Sequence, residues 1–179
     1  MIHSKAFARG AALALAVVSL AGGLAVAAPQ TVLVARMSGA NEVPPNDSKA
    51  HGSATFRVVY ASDTTGTGDS LGIASIEYKV RVSNLNDVTA GHIHIGAEGV
   101  AGPVAVDLRP RTGEGRATGV IAEGVIMAAD LVGPLTGMTL SDLWAQIQAG
   151  EAYVNIHTTT YPGGEIRGQI GNRGGGGPQ

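Results

Sequence analysis

Cysteine is missing from this chain, and that one absence removes disulfides, thiolate metal sites, lipid-modified cysteine and cysteine nucleophiles together. No excess of positive charge exists either: 12 Lys and Arg stand against 14 Asp and Glu, a formal net charge of −2. A mildly acidic chain is a poor nucleic-acid ligand. The only long apolar run is at the start, and it is shorter than the roughly 20 residues a membrane span needs. Internal repeats are absent, as is a G-x-S-x-G nucleophile elbow. Gly113-Glu114-Gly115 with Gly119 opens no helix and reads as a turn rather than a phosphate loop.

What is present begins with a leader. Lys5 and Arg9 precede a small, apolar run from Ala11 to Leu24, and Ala25-Val26-Ala27 supplies an A-x-A site. These features predict a signal peptide over residues 1–27, an exported product, periplasmic or secreted, and no transmembrane anchor once the leader is cleaved. Residues 28–172 are expected to form one domain, since a chain of about 150 residues buries roughly 68–70% of its unfolded surface. Residues 173–179 read as a flexible glycine-rich tail.

The domain reads as β throughout. Thr31 to Met37 is a β-rich run stopped by Pro44-Pro45. From Ser53, Ala54, Phe56, Val58 and Tyr60 fall on one face and Thr55, Arg57 and Val59 on the other. A polar, glycine-rich connection (61–72) leads to a second alternating strand with Ile76, Tyr78, Val80 and Val82 on one face. Asn84 to Asp87 turns into the strand Val88 to Ile95, and Val104, Val106 and Leu108 mark another. Gly115 to Ile126 reads as one or two strands with a bulge or turn at Glu123-Gly124. Leu140, Leu143, Trp144 and Ile147 then recur at i, i+3, i+4 and i+7, with Thr139 and Asp142 spaced as a capping box and Gly150 as the stop. Tyr153 to Thr159 and Glu165 to Ile170 form a hairpin around Tyr161-Pro162-Gly163-Gly164. The pattern predicts an all-β fold, an antiparallel Greek-key β-sandwich with one short helix near the C-terminal hairpin. A closed barrel is the competing architecture.

Chemistry concentrates in two strands. His92 and His94 leave the same face of one strand, about 6.5–7 Å apart along it, and His157 reaches the same place if its strand is a neighbour. Three neutral imidazoles suit copper or zinc, with an oxygen ligand or water in fourth place. Asn155 points the same way as His157 and is the supporting residue of this metal site. The alternative is a buried polar network in which the rings hydrogen-bond carboxylates or backbone. His51 lies on the outward face of its strand with Ser53 and Thr55 and is excluded. Glu165 and Arg167 are expected to be a surface ion pair worth about 0–1 kcal/mol. The remaining carboxylates, among them Glu42, Asp107, Asp130 and Asp142, are scattered over different elements and suggest no acid/base pair.

Three blocks carry a resemblance: Ser38-Gly39-Ala40-Asn41-Glu42-Val43-Pro44-Pro45; Gly91-His92-Ile93-His94-Ile95-Gly96 with Gly102-Pro103-Val104; and Ala152 to Thr158 running into Tyr161-Pro162-Gly163-Gly164-Glu165-Ile166-Arg167-Gly168-Gln169. Together they resemble the CHRD domain, named after chordin, over about Leu33 to Ile170. The resemblance implies an exported single-domain protein of the bacterial kind, a binding or envelope-associated module without enzymatic activity, acting on an extracellular or envelope ligand. The strand His92-Ile93-His94 is also similar to the His-x-His strand of copper/zinc superoxide dismutase, although the rest of a dismutase's ligands cannot be placed here. That second similarity implies the alternative, a copper or zinc carrier or dismutase-like enzyme using His92, His94 and His157.

Overall fold

The computed structural model describes residues 31–61 and 72–172. The expected leader, the glycine-rich tail and most of the 61–72 connection lie outside the described residues. Eight strands follow in order: β1 (Val32–Ser38), β2 (His51–Tyr60), β3 (Ile73–Asn86), β4 (Val88–Ile95), β5 (Val104–Asp107), β6 (Arg116–Ile126), β7 (Ala152–Thr158) and β8 (Ile166–Asn172). One helix, α1 (Leu140–Gln148), lies between β6 and β7. The strands form one antiparallel sheet in the order β5-β4-β7-β8-β1-β2-β3-β6.

Alternation decides which face turns inward. Leu33, Ala35 and Met37 of β1, Ala54, Phe56 and Val58 of β2, and Ile76, Val80 and Val82 of β3 are all buried. On the other half of the sheet Ile93, Val154, Ile156, Ile166 and Ile170 join the same core. Every strand offers one apolar face, and a single sheet buries it only by curling on itself. Each fully buried large aliphatic contributes about 1.5–3 kcal/mol. The curl brings the two edges of the sheet toward each other through the segments that flank them: Arg111 N, beyond β5, donates to Ile121 O of β6 at 2.7 Å, and Val132 N, beyond β6, donates to Ala105 O of β5 at 2.9 Å. The expected all-β sandwich therefore forms with its two layers continuous and nearly closed. The chain leaves β3 for the far side of the sheet at β4 and returns to β3's side at β6, the crossing of a Greek key.

Helix α1 follows its sequence signals. The Thr139 hydroxyl accepts from Asp142 N, and an Asp142 carboxylate oxygen accepts from Thr139 N at 2.8 Å. Leu140, Leu143 and Ile147 are buried, half-buried Trp144 packs beside them, and Gly150 follows the last turn.

Two local expectations change. Gly115 to Ile126 is a single strand whose irregularity lies at Ile121, because Val80 pairs with Ala122 while Arg81 pairs with Val120; Gly124 stays in register opposite Tyr78. The turn expected at Asn84 to Asp87 shrinks, since β3 keeps pairing with β6 as far as Asn86. Asn84 (φ 61°) and Asp87 (φ 53°) absorb the left-handed conformations there, as short polar side chains do.

Candidate metal centre

Strands β4 and β7 are neighbours, which fixes the geometry of the three histidines. The antiparallel register sets His92 opposite Asn155 and His94 opposite Tyr153. With Ile93, Val154 and Ile156 in the core, His92, His94, Tyr153, Asn155 and His157 share the outer face. The three imidazoles converge so that one ring nitrogen from each lies within 4.8 Å of the others. His51 stays exposed on its own strand, as parity requires.

An outer face is normally wet, but this one is covered. The glycine-punctuated loop 96–103 folds back over it and is held by side chains from three strands. His94 Nδ1 donates to Gly102 O (2.9 Å), Gly102 N donates to the Tyr153 hydroxyl (3.0 Å), Arg167 Nη2 donates to Ala97 O and Val100 O, and Gln169 Nε2 to Gly96 O. The Tyr153 ring lies parallel to His94 at 4.9 Å, and the Arg167 guanidinium sits 3.4 Å from the centre of the Tyr153 ring. Cation, phenol and imidazole thus stack in one column.

Hydrogen bonding settles the tautomers. A carbonyl accepts only from an N–H, so His94 carries its proton on Nδ1 toward Gly102, and His157 carries its own on Nδ1 toward Pro162 O (2.9 Å). Both Nε2 atoms then present lone pairs. His157 Nε2 lies 3.1 Å from His92 Nδ1, whereas His94 Nε2 is buried with no partner. Burial holds the rings neutral: it pushes His94 down to about 4, and it lowers His92 and His157, the His157 ring adding to the effect on His92. Three neutral imidazoles at neutral pH are what a transition-metal ion requires.

The segment between β1 and β2 closes the site from the other side. A 3₁₀ turn (Gly39–Asn41) places Glu42 over β7, where Asn155 Nδ2 donates to both carboxylate oxygens, at 2.9 and 3.2 Å. Glu42 is buried, and desolvation raises its carboxyl to about 7, with the backbone N–H of Val43 and the charge of Arg167 pulling the other way. The same segment is tied to β8 through Asn41 Nδ2 to Arg167 O and Asn46 Nδ2 to Glu165 O. Glu165 and Arg167 are not the surface ion pair expected. Both are buried and neither bonds the other: Glu165 accepts from the Ser48 and Thr158 hydroxyls, while Arg167 serves the loop. Parity put them on an outer face, but two covering segments turn that face into a second, polar interior.

Glu42 is the residue that spacing did not find. Its signal lay in the blocks themselves, because each sends a side chain to this one place: Glu42 from the first, the two β4 histidines from the second, Tyr153, Asn155, His157 and Arg167 from the third.

These shifts dictate how the metal-free protein responds to acid. Glu42 titrates in the fold near 7, above its ordinary 4.5, so its contribution is present below about pH 4.5 and is lost as pH rises through 7. His94 titrates near 4, below its ordinary 6.5, so its contribution is present above 6.5 and is lost as pH falls to 4. Each shift is worth on the order of 3 kcal/mol, and the two slopes oppose. Urea unfolding of Glu42→Gln across pH 4–7 is expected to show stability rising with pH more steeply than in the wild type. A parallel profile would refute the assignment to Glu42.

An antiparallel β domain that gathers three neutral imidazoles under a glycine-rich loop defines the class of module. The family follows from comparison: the model of the CHRD domain matches residues 33–170, and the chain belongs to the CHRD domain family. No curated protein and no solved structure matches it.

Proposed function

We propose that this CHRD-domain protein is an exported, non-enzymatic binding module that holds one copper or zinc ion on His92, His94 and His157. One observation carries the reading: His94 Nε2 is a buried, proton-free acceptor without a donor, beside two further imidazoles whose nitrogens converge with it. An unsatisfied buried acceptor costs about 1–3 kcal/mol, and a bound cation removes that cost. Imidazole donors favour Cu²⁺ and Zn²⁺ over calcium or magnesium, which prefer oxygen. His92 and His157 are only half-buried, so the ion has an approach from their side. On this reading the covering loop and the ion together present the surface that meets an extracellular or envelope ligand.

Metal analysis of protein taken from its native compartment tests this. About one equivalent of copper or zinc is expected, falling below about a tenth of an equivalent in His92→Ala and His157→Ala. Wild-type protein that stays below a tenth, or variants that keep the ion, would end the metal reading. At free metal about 1,000 times Kd, the loaded protein is expected to unfold about 4 kcal/mol less readily than the metal-free form. Superoxide turnover by copper-loaded protein above that of free copper would favour the alternative, a dismutase-like enzyme on the same residues.

A further inference from the structure

Two buried acceptors on the covered face have no donor: His94 Nε2 and Asn155 Oδ1. They belong to adjacent strands, Asn155 stands opposite His92 in the register, and it precedes His157 by two residues on the same face. The amide of Asn155 is not free to turn. Its Nδ2 gives hydrogen bonds to both oxygens of Glu42, so the Oδ1 edge is directed away from that carboxylate. Gly164 seals the contact: a side-chain carbon there would sit 2.2 Å from Asn155 Nδ2 and 2.7 Å from Glu42 Oε1.

Resting on the metal reading above, we infer that Glu42 is the positioning residue of the site: by holding the amide nitrogen of Asn155 it commits the Asn155 carbonyl oxygen as the fourth donor to the ion. An ionised carboxylate, the form Glu42 takes above about pH 7, is the right partner for that task, because it only accepts and can bond only the NH₂ end. Were the amide reversed, an N–H₂ edge would face the cation and the site would lose both a donor atom and its charge match. The chemistry then becomes three imidazole nitrogens and one neutral amide oxygen, a borderline donor set suited to Cu²⁺ or Zn²⁺.

The test uses the full chain and titrates Zn²⁺, then Cu²⁺, into metal-free protein by calorimetry, with circular dichroism of each variant as a check on folding. Glu42→Gln allows either amide orientation, since glutamine both donates and accepts, and it is expected to weaken metal affinity 10- to 100-fold, the usual cost of losing a partner of a ligand. The swapped pair Glu42→Gln with Asn155→Asp is expected to restore affinity to within a few-fold of wild type. In that pair the introduced glutamine amide donates to one oxygen of the introduced carboxylate, and the other oxygen remains for the ion. Unchanged affinity in Glu42→Gln overturns the inference, and so does a loss that the swap fails to repair, because a merely structural glutamate predicts no rescue. Should Glu42→Gln fail to fold, the swapped pair decides alone: it binds as wild type or the inference falls. If wild-type protein takes up neither metal, the metal reading itself has failed, an outcome seen before any variant is compared.

Discussion

Gly102→Ala is expected to lose more than about 4 kcal/mol of stability and to lift the 96–103 loop off the histidines, an effect at the extreme of single substitutions. The methyl group would lie 1.6 Å from Ile95 O and 2.6 Å from its carbonyl carbon, both backbone atoms of the strand that carries the site. No rotamer relieves such an overlap; the loop has to move. It would take with it the acceptor that fixes the His94 tautomer and the N–H that bonds Tyr153. Urea unfolding gives the stability, and the ring nitrogen signals of His94 in NMR report the loss of its Nδ1–H bond. A variant within about 1 kcal/mol of wild type, with that bond kept, would contradict the close packing of loop on strand.

Arg167→Ala should cost about 3–5 kcal/mol, the range for removing one member of a buried charged set. Only 2% of Arg167 is exposed, so the full side chain has been taken from water. Its removal leaves Ala97 O and Val100 O without their donor, strips the cation from the Tyr153 face, and takes from Glu42 the positive charge that favours its ionised form. The loss should be larger at pH 8, where Glu42 is ionised in the wild type, than at pH 5, where it is protonated. Arg167→Lys keeps the charge but not the flat guanidinium, and is expected to recover only part of the loss. A pH-independent cost in denaturant unfolding would show that Glu42 and Arg167 are not coupled.

Periodicity sufficed for most of the architecture. The alternating faces of β2 and β3, the capping box of α1 and the shared face of His92 and His94 could all be read from spacing, because each depends on geometry within one strand or one helix. What spacing missed depends on segments arriving from elsewhere. Alternation says that Arg167 and Glu165 leave the core side of the sheet; it does not say that 39–48 and 96–103 will cover them. Glu42 sits in a turn, where no period applies, and its role exists only once β7 lies beneath it. The position of the β6 irregularity was likewise hidden, since a bulge is a property of two strands in register and Ile121 carries no mark of it alone.

The site is assembled from the two ends of the domain's history. Glu42 comes before β2 and Arg167 from the last strand, and between them the chain passes from one side of the sheet to the other three times. His92 and His94 exist on the growing chain long before β7 and β8 close beside them, so a partly made or partly unfolded chain holds two loose imidazoles and none of the enclosure. Non-local pairings of this sort form late in folding. An ion bound in the assembled arrangement would therefore certify that the whole domain has closed, and hydrogen exchange at Asn155 and Arg167 should report global unfolding rather than local fraying.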